Sequence, residues 1–145
     1  MIVLTGTVLK ADEPNLNGHI YPLDILKDAI KNVQSEIHSR SMIGRIGRMP
    51  APHTVMIPDL RAASHVIRQL YMYRNKLMCK AESLMGNSLQ LLLNTKPLGF
   101  ALRALGIVNP NGTIRNLTII SVDITSNPAF PNVIKIRRKI PRNNQ

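Results

Sequence analysis

Five stretches with the composition of β-strands restrict the fold of this 145-residue chain more than any other feature of its sequence. The first, residues 1–10, alternates along its length and is rich in β-branched side chains. Residues 62–73 and 76–84 are joined near the tripeptide RNK and predict a hairpin. Residues 100–108 and 113–125 flank the turn sequence NPNG and predict two further strands. Strands that follow one another across such short turns favour an antiparallel sheet.

Two other stretches predict helices that pack on this sheet. Pro22 suits the first turn of the first helix. Apolar residues then recur at intervals of four, three and four and form one stripe, made of Leu26, Ile30, Val33 and Ile37. The second helix lies within residues 86–99, where Asn87 or Ser88 can cap it and Pro97 ends it. We therefore expect an α+β fold, with a curved or closed, mostly antiparallel, barrel-like sheet and two or three packed helices.

The length of the chain fits one domain, residues 1–134, followed by a basic tail, residues 135–145. The tail sequence KIRRKIPRNNQ holds five Lys or Arg and no acid, and the whole chain has a net charge of +11. Such a surplus attracts nucleic acid, acidic proteins or anionic membrane, although no aromatic residues interleave the basic ones as on a base-stacking surface. Whether the tail is only a solvated end stays open. Residues 41–60 contain three prolines and two glycines, so we expect them to be irregular.

Cysteine usage and hydropathy exclude several classes of protein. Cys79 is the single cysteine, which rules out an intrachain disulfide and a cysteine metal cluster. It alternates with Lys80 in a strand pattern, so we interpret it as a small core residue. No apolar run approaches the roughly 20 residues that cross a bilayer, and no signal peptide pattern precedes the first strand. These observations predict a soluble, intracellular protein that needs no metal or other cofactor.

The four histidines differ in their surroundings. His19 lies in a polar loop and His38 near the end of the first helix, where we expect both at the surface. His65 falls within a strand pattern and is expected to be a hydrogen-bonded, half-buried residue. His53 lies in the proline-stiffened stretch MPAPHTVMIPDL, where a catalytic base can be held rigidly and remain reachable. Position alone leaves its role open.

Asp123 is the one acid in the apolar stretch IISVDITSNP. A carboxylate in such a strand needs a partner, because an unpaired charge in a medium of low dielectric constant is costly. A histidine is one suitable partner, since a carboxylate fixes the tautomer of a catalytic imidazole. The alternative is that Asp123 bonds the following turn.

The stretch KPLGFALRALG, residues 96–106, is framed by Gly99 and Gly106 and carries Arg103 as its one charge within that frame. The two glycines around a short apolar run are typical of a functional site, but the stretch contains no reactive side chain and Ala101 lies near its centre. A purely structural interpretation is a buried strand with glycines at its bends and Arg103 paired to an acid. The choice between these interpretations depends on the neighbouring motifs.

Four motifs occur in an order that resembles the tailed-phage prohead proteases, the serine proteases of capsid maturation. They are an asparagine-rich loop and helix (NLNGHIYPLDILKDAI, 15–30), the pair PH at 52–53 ahead of SHVI at 64–67, the stretch GFALR at 99–103, and a strand with an acid that enters a proline turn (SVDITSNPAFPN, 121–132). Together they span residues 15 to 132, nearly the whole chain. The resemblance implies a fold akin to the herpesvirus maturation protease.

The same resemblance implies a set of catalytic residues. It assigns His53 as the general base, places Ala101 at the position of the serine nucleophile, and makes Asp123 the acid that orients the histidine. The chain order is acceptable, because triads are defined by geometry rather than by sequence order. His65 is the alternative third member.

The resemblance also assigns Arg103 to oxyanion stabilisation, together with nearby backbone N–H groups such as that of Leu102. The nucleophile itself is missing, since Ala101 replaces the serine of the motif and Leu102 follows it. The chain is either a serine-to-alanine variant made to prevent self-digestion or a natural pseudoenzyme with a structural role in the capsid. The retention of His53, Arg103 and Asp123 favours the variant.

The function implied is that of an endopeptidase that cuts scaffold or core protein, capsid protein and its own precursor inside the phage prohead, in the host cytoplasm. The resemblance also suggests a homo-oligomer. A membrane is not expected as a partner, and contact with nucleic acid is expected to be secondary. The alternative is a non-catalytic basic module for capsid assembly or nucleic-acid binding, which would show steep salt dependence towards nucleic acid.

Overall fold

The computed structural model describes residues 2–47, 63–95, 97–130 and 134–138. In these ranges three helices and seven strands follow one another along the chain. They are β1 (Ile2–Lys10), α1 (Leu23–Asn32), α2 (Gln34–His38), β2 (Ile43–Arg45), β3 (Ala63–Tyr73), β4 (Lys76–Ser83), α3 (Asn87–Thr95), β5 (Gly99–Val108), β6 (Ile114–Thr125) and β7 (Lys135–Arg138). None of the helices in the described part is long and apolar enough to span a membrane.

The strands form two antiparallel sheets. The larger has five strands in the order β2-β3-β4-β1-β7, and the smaller is a two-stranded ribbon of β5 and β6. The predicted hairpin is confirmed, because β3 and β4 pair directly across a turn in which Arg74 takes a positive φ of 57°. The five predicted strands are all present, and the α+β class is confirmed.

The ribbon lies between the two edges of the larger sheet and is joined to each by isolated contacts. On the side of β2, the Gly47 N–H donates to the Ile124 carbonyl at 2.8 Å, in a parallel bridge between Ile46 and Ile124. On the side of β7, the Ile134 N–H donates to the Leu98 carbonyl at 2.9 Å. The hydrogen-bonded ladders of the described strands therefore do not close, and the expected barrel is instead two open sheets bridged at their edges.

The helical stripe predicted from the sequence faces the core. Leu26, Ile30, Val33 and Ile37 are all buried, and α1 packs against β6. The stripe is shared between two helices rather than one, because Val33 leaves the helical conformation at φ −110° and ψ 7°. Pro22 is extended and precedes α1, and its carbonyl accepts the Leu26 N–H at 3.0 Å.

Two short strands occupy stretches that the sequence pattern assigned differently. β2 lies in the segment expected to be irregular, and its three residues pair with β3 across a bulge. β7 comprises the first four residues of the expected tail and pairs with β1 at the sheet edge. Both strands form by pairing with strands distant in sequence, and neither is long enough to show an alternating pattern of apolar and polar residues.

Cys79 is buried as expected, and burial raises the pKa of its thiol.

Candidate active site on the β5–β6 ribbon

The ribbon brings together four of the residues around the central motif. Ala101 lies opposite Asp123, and Arg103 lies opposite Ser121 in the β5–β6 register. Residues directly opposite, and residues two apart, share one face of a sheet. All four side chains therefore belong to the same face of the ribbon, although Asp123 and Ala101 are 22 positions apart in the sequence.

Asp123 is 3% exposed, and its carboxylate has two partners on different strands. Oδ2 forms an ion pair with Arg103 Nε at 3.2 Å, and Oδ1 accepts the backbone N–H of Arg45 at 3.0 Å. The Arg103 Nη2 donates to the Ile43 carbonyl at 3.1 Å. The partners of Asp123 among the described residues are thus an arginine and a main-chain donor rather than a histidine, and the pairing of Arg103 with an acid matches the structural interpretation of its strand. In the following turn the Asn127 N–H is accepted by the Thr125 hydroxyl instead.

The charges of this cluster oppose the effect of burial. Burial raises the pKa of Asp123, whereas the Arg45 N–H and the charges of Arg103 and Arg45 act to lower it. Burial likewise lowers the pKa of Arg103, and Asp123 acts to raise it. Arg103 Nε approaches the carboxylate without aligning a hydrogen bond to it, so the contact is mainly Coulombic. Buried pairs of this kind are stable only when further hydrogen bonds satisfy both ions.

His65 lies next to this cluster and is completely buried. Its Nε2 is 2.7 Å from the Val122 carbonyl, and its Nδ1 is 2.5 Å from the Ser64 hydroxyl oxygen. We assign the proton to Nε2, which donates to Val122, while Ser64 donates to Nδ1. Burial lowers the pKa of His65 to about 4, so the ring is neutral at physiological pH. The hydrogen-bonded histidine expected here is confirmed, but it is fully rather than half buried.

Gly44 explains how the His65 ring reaches β6. A Cβ at Gly44 would collide with His65 Nε2 and with the Val122 carbonyl oxygen. Only glycine leaves room for this close approach of β2, the imidazole and β6. The Nε2 of His65 therefore joins β3 to the ribbon, while its Nδ1 is engaged by Ser64 on the same strand.

A cleft of about 520 Å³ opens beside the ribbon, and both Ala101 and Leu102 line it. Tyr21 and Gly47 line it as well, and burial raises the pKa of the Tyr21 hydroxyl, which stays protonated at neutral pH. Further lining comes from amide and hydroxyl side chains, namely Asn15, Asn17, Thr125, Ser126 and Asn127. The cleft combines apolar walls with hydrogen-bonding groups, as peptide and small-molecule sites do.

The register also defines the direction of the backbone at this cleft. The Val122 and Ile124 carbonyls point away from β5, because they accept hydrogen bonds from His65 and from Gly47. The backbone N–H and C=O groups of successive residues point to opposite edges of a strand, so those of Asp123 face Ala101 on β5. By the same alternation, the Leu102 N–H points to the edge of β5 that lies away from β6. Leu102 is also one of the residues that line the cleft.

The remaining predicted residues are not brought into the cluster by the described structure. His53 lies outside the described residues. It is six residues beyond Gly47 in the sequence, and a chain of that length spans up to about 20 Å. His38 is exposed and His19 partly so. Within the described ranges no group of three His, Cys, Asp or Glu side chains could hold a metal ion.

Sequence reasoning missed three residues that build the cluster: Gly44, Arg45 and Ser64. Gly44 and Arg45 lie in the stretch GRIGR, which shows no phosphate-loop pattern and no strand period. Their roles depend on contacts with β6, nearly 80 positions further along the chain in the case of Arg45. Ser64 precedes His65 directly, and this Ser-His pair was the one local signal available.

Comparison with solved structures finds a protein with the same fold. The structure superposes on that of the bacteriophage T4 capsid assembly protease, gp21, with a TM-score of 0.76 over 87% of this chain and 82% of that chain. The two sequences are 21% identical over this match, so the likeness establishes a common fold and leaves the activity to be argued from the site. No family model matches the sequence. No curated protein sequence matches it either.

Proposed function

We propose that this chain is a capsid-maturation serine endopeptidase of the phage prohead, in which Ala101 stands at the position of the nucleophile. The observation that carries the proposal is the pairing of Ala101 with Asp123 beside a cleft, in a fold shared with a phage capsid assembly protease. An active form of this site would carry serine at position 101. The change from serine to alanine removes one oxygen, so it abolishes acyl chemistry while leaving the strand intact.

In the serine form, His53 takes the proton of the serine hydroxyl at position 101 as its oxygen attacks the substrate carbonyl. Asp123 accepts a hydrogen bond from the imidazole, which orients the ring and stabilises the imidazolium. The oxyanion of the tetrahedral intermediate accepts the Leu102 N–H, which the strand register leaves unpaired with β6 at the cleft-lining residue Leu102. Collapse of the intermediate transfers the proton from His53 to the leaving amine, and water then releases the acyl group.

Arg103 supports this chemistry from a buried position on the ribbon face that also carries Ala101 and Asp123. Its side chain is 4% exposed, it does not line the cleft, and its contacts are with Asp123 and the Ile43 carbonyl. We therefore assign oxyanion binding to the Leu102 N–H and give Arg103 the role of holding Asp123 ionised. His65, with both ring nitrogens engaged, is assigned to packing rather than to the triad.

The substrates proposed are scaffold or core protein, capsid protein and the chain's own precursor, cut inside the prohead. The net charge of +11 supports retention in an acidic scaffold. We extend the proposal to a homo-oligomeric enzyme, which sedimentation of the purified chain would test directly.

The experiment that tests the proposal restores the nucleophile by Ala101→Ser. The serine form and the present chain are incubated alone and with phage scaffold or capsid protein, and cleavage is followed on gels. We expect only the serine form to cut, and His53→Ala in that background to reduce the rate roughly 10⁴-fold or more. Ala129→Ser is the matched control, because it places a hydroxyl in the same cleft away from the ribbon. A folded serine form that cuts nothing, or an equally active Ala129→Ser chain, would contradict the proposal.

The basic charge supports one alternative, a non-catalytic capsid-assembly or nucleic-acid-binding module. Such a module would bind DNA or RNA with an affinity that falls by orders of magnitude between about 50 and 200 mM salt, in the manner of counterion release. Binding of that kind, together with an inert serine form, would favour the alternative.

A further inference from the structure

The larger sheet has one face against the core and a second face that is partly exposed. Along β4, the alternate residues Leu77, Cys79 and Ala81 are buried, and the residues between them are only partly buried. Successive side chains on a strand point to opposite faces, so these intervening residues and their register partners share the second face. We call it the outer face and define it by Val3, Thr5 and Thr7 on β1, Gln69, Tyr71 and Tyr73 on β3, Lys76, Met78, Lys80 and Glu82 on β4, and Lys135 on β7.

The outer face carries the two most exposed aromatic side chains of the chain. Tyr71 and Tyr73 are 37% and 56% exposed, whereas the other three Tyr and Phe residues are buried or half-buried. The two tyrosines lie two positions apart on one strand, so their Cα atoms are about 7 Å apart. The Arg74 guanidinium lies 5.5 Å from the centroid of the Tyr73 ring, in cation–π contact. Two accessible rings are therefore available for stacking on planar groups of a ligand.

The strands beyond β3 add positive charge to the outer face. Lys80 on β4 and Lys135 on β7 both pair with Thr5 in the register, one from each side of β1. The row from β3 through β4 and β1 to β7 spans three strand spacings, about 14 Å. Lys135 is far from Tyr71 in the sequence, so strand pairing rather than sequence order brings the rings and the charges onto one surface.

The charge of the outer face is positive overall. Glu82 is the one acid among its residues; Arg68 Nη1 lies 2.7 Å from its Oε2, and Arg40 Nη2 lies 3.9 Å from the same oxygen. Within the described part of the chain, no carboxylate forms an ion pair with any of the three lysines of this face. Their ammonium groups are therefore available to an anionic partner.

We infer that the outer face binds single-stranded nucleic acid, with bases stacked on the two tyrosines and phosphates next to the three lysines. Proteins that bind single strands combine a positively charged surface with aromatic side chains on which bases stack. Aromatic residues on an open sheet face serve this purpose in RNA-binding domains. A duplex offers phosphates but covers its base faces, and an acidic polypeptide needs only the lysines, so the exposed tyrosines favour the single strand.

The outer face is separate from the proposed active site. None of its residues is among those that line the cleft, and it belongs to the larger sheet rather than to the ribbon. The inference therefore goes beyond the proteolytic function, does not depend on it, and can be tested on the present chain.

The first test measures binding of a fluorescently labelled oligothymidylate of about 12 nucleotides by fluorescence anisotropy. We expect Tyr71→Leu and Tyr73→Leu each to weaken binding about fivefold or more, because each removes a stacking surface. Tyr71→Phe and Tyr73→Phe are the matched controls; they retain the ring and should bind like the parent. The leucine variants should bind a duplex of the same length as the parent does, because its base faces are covered.

The second test measures the salt dependence of the same binding. For a single strand, the logarithm of the association constant falls with the logarithm of the salt concentration by about 0.7 for each phosphate neutralised. We expect Lys80→Gln and Lys135→Gln each to reduce this slope by about 0.7. Lys27→Gln is the matched control, because it removes the same charge from an exposed position on α1, and it should leave the slope unchanged.

Three results would overturn the inference. The first is a parent chain that does not bind the oligothymidylate, and the second is equal affinity in the parent and both leucine variants. The third is polyglutamate that competes equally well for the parent and the leucine variants and binds as tightly as the oligothymidylate, which would make the face a site for an acidic protein.

If a leucine variant does not fold, amide NMR shifts of the ¹⁵N-labelled parent decide the matter. Shifts on addition of the oligothymidylate that centre on β1, β3, β4 and β7 support the outer face, and shifts that centre on other elements contradict it. The Ala101→Ser chain separates the two proposals. A serine form that cuts nothing but binds through the tyrosines would sink the protease function and leave this inference, and an active serine form whose binding ignores the tyrosines would do the reverse.

Discussion

Two cross-strand ion pairs, each between an arginine and a carboxylate, differ in how deeply they are buried. On the β3–β4 hairpin, Arg68 Nη1 and Glu82 Oε2 meet at 2.7 Å, with side chains 37% and 20% exposed. On the ribbon, Arg103 and Asp123 meet at 3.2 Å with both side chains 4% exposed. We expect loss of one partner to cost more for the longer contact, because its ions have lost their water and the hydrogen bonds shown for them come from β2.

The comparison extends to what surrounds each pair. The hairpin pair is partly exposed, so each ion can exchange its partner for water, and Glu82 also lies 3.9 Å from Arg40. The buried pair connects β2, β5 and β6, so removal of either ion leaves the other in a medium of low dielectric constant. Burial, rather than the distance between the charged atoms, therefore decides how much each pair matters to stability.

The largest effect is expected from Arg103→Met, which leaves Asp123 buried without its charged partner. We expect the free energy of unfolding to fall by about 3–5 kcal/mol. Urea denaturation followed by circular dichroism measures this loss. The double variant Arg103→Met, Asp123→Leu should recover much of it, because it removes both charges. If the Arg103→Met chain were as stable as the parent, the buried pair would not matter more to stability than the pair on the hairpin.

The next largest effect is the pH dependence of stability that His65 causes, since this residue joins β3 to the ribbon through its hydrogen bond to the Val122 carbonyl. The pKa of His65 falls from 6.5 to about 4 on folding, so between these values the unfolded chain binds a proton that the folded chain does not. Stability should therefore be steady above about pH 6.5 and fall as the pH drops towards 4, by up to about 3 kcal/mol.

Urea denaturation at a series of pH values in this window tests the expectation. His65→Gln should flatten the part of the slope that His65 contributes, whereas His38→Gln, at an exposed position, should retain it. A His65→Gln chain with the slope of the parent would show that other groups govern the acid response.

A smaller effect is expected from Gly44→Ala. The added methyl group would collide with the His65 ring and the Val122 carbonyl, so β2 or the imidazole must move, at a cost of about 1–3 kcal/mol. Gly106→Ala on β5 is the matched control, since the nearest atom to its Cβ would be 3.4 Å away. Thermal unfolding of the two variants compares them. Equal melting temperatures would show that the close approach at Gly44 is unimportant.

The smallest effect is expected from Glu82→Gln, which removes the carboxylate that the partly exposed Arg68 and Arg40 share. We expect a loss of at most about 1 kcal/mol, which declines further in high salt because solvent screens these charges. Urea denaturation at low and high salt measures both quantities. A loss as large as that of Arg103→Met would remove the distinction on which the comparison rests.

Local patterns were sufficient for most of the fold. The alternation of β1, the turn between β3 and β4, and the apolar stripe from Leu26 to Ile37 each follow from neighbouring residues, and all three are present in the structure. β2 and β7 were missed because each is only three or four residues long and is defined by pairing with strands far along the chain. Strands of that length have too few residues to show a period.

The sequence by itself determined that Ala101, Arg103 and Asp123 belong to two successive strands, that Asp123 needs a partner, and that position 101 has no nucleophile. Only the tertiary structure decided that the partner is Arg103 with the Arg45 N–H, that His65 is neutral and buried, and that Ala101 faces a cleft. The physical reason is that strand periodicity is encoded by adjacent residues, whereas burial and charge pairing depend on which distant strands meet.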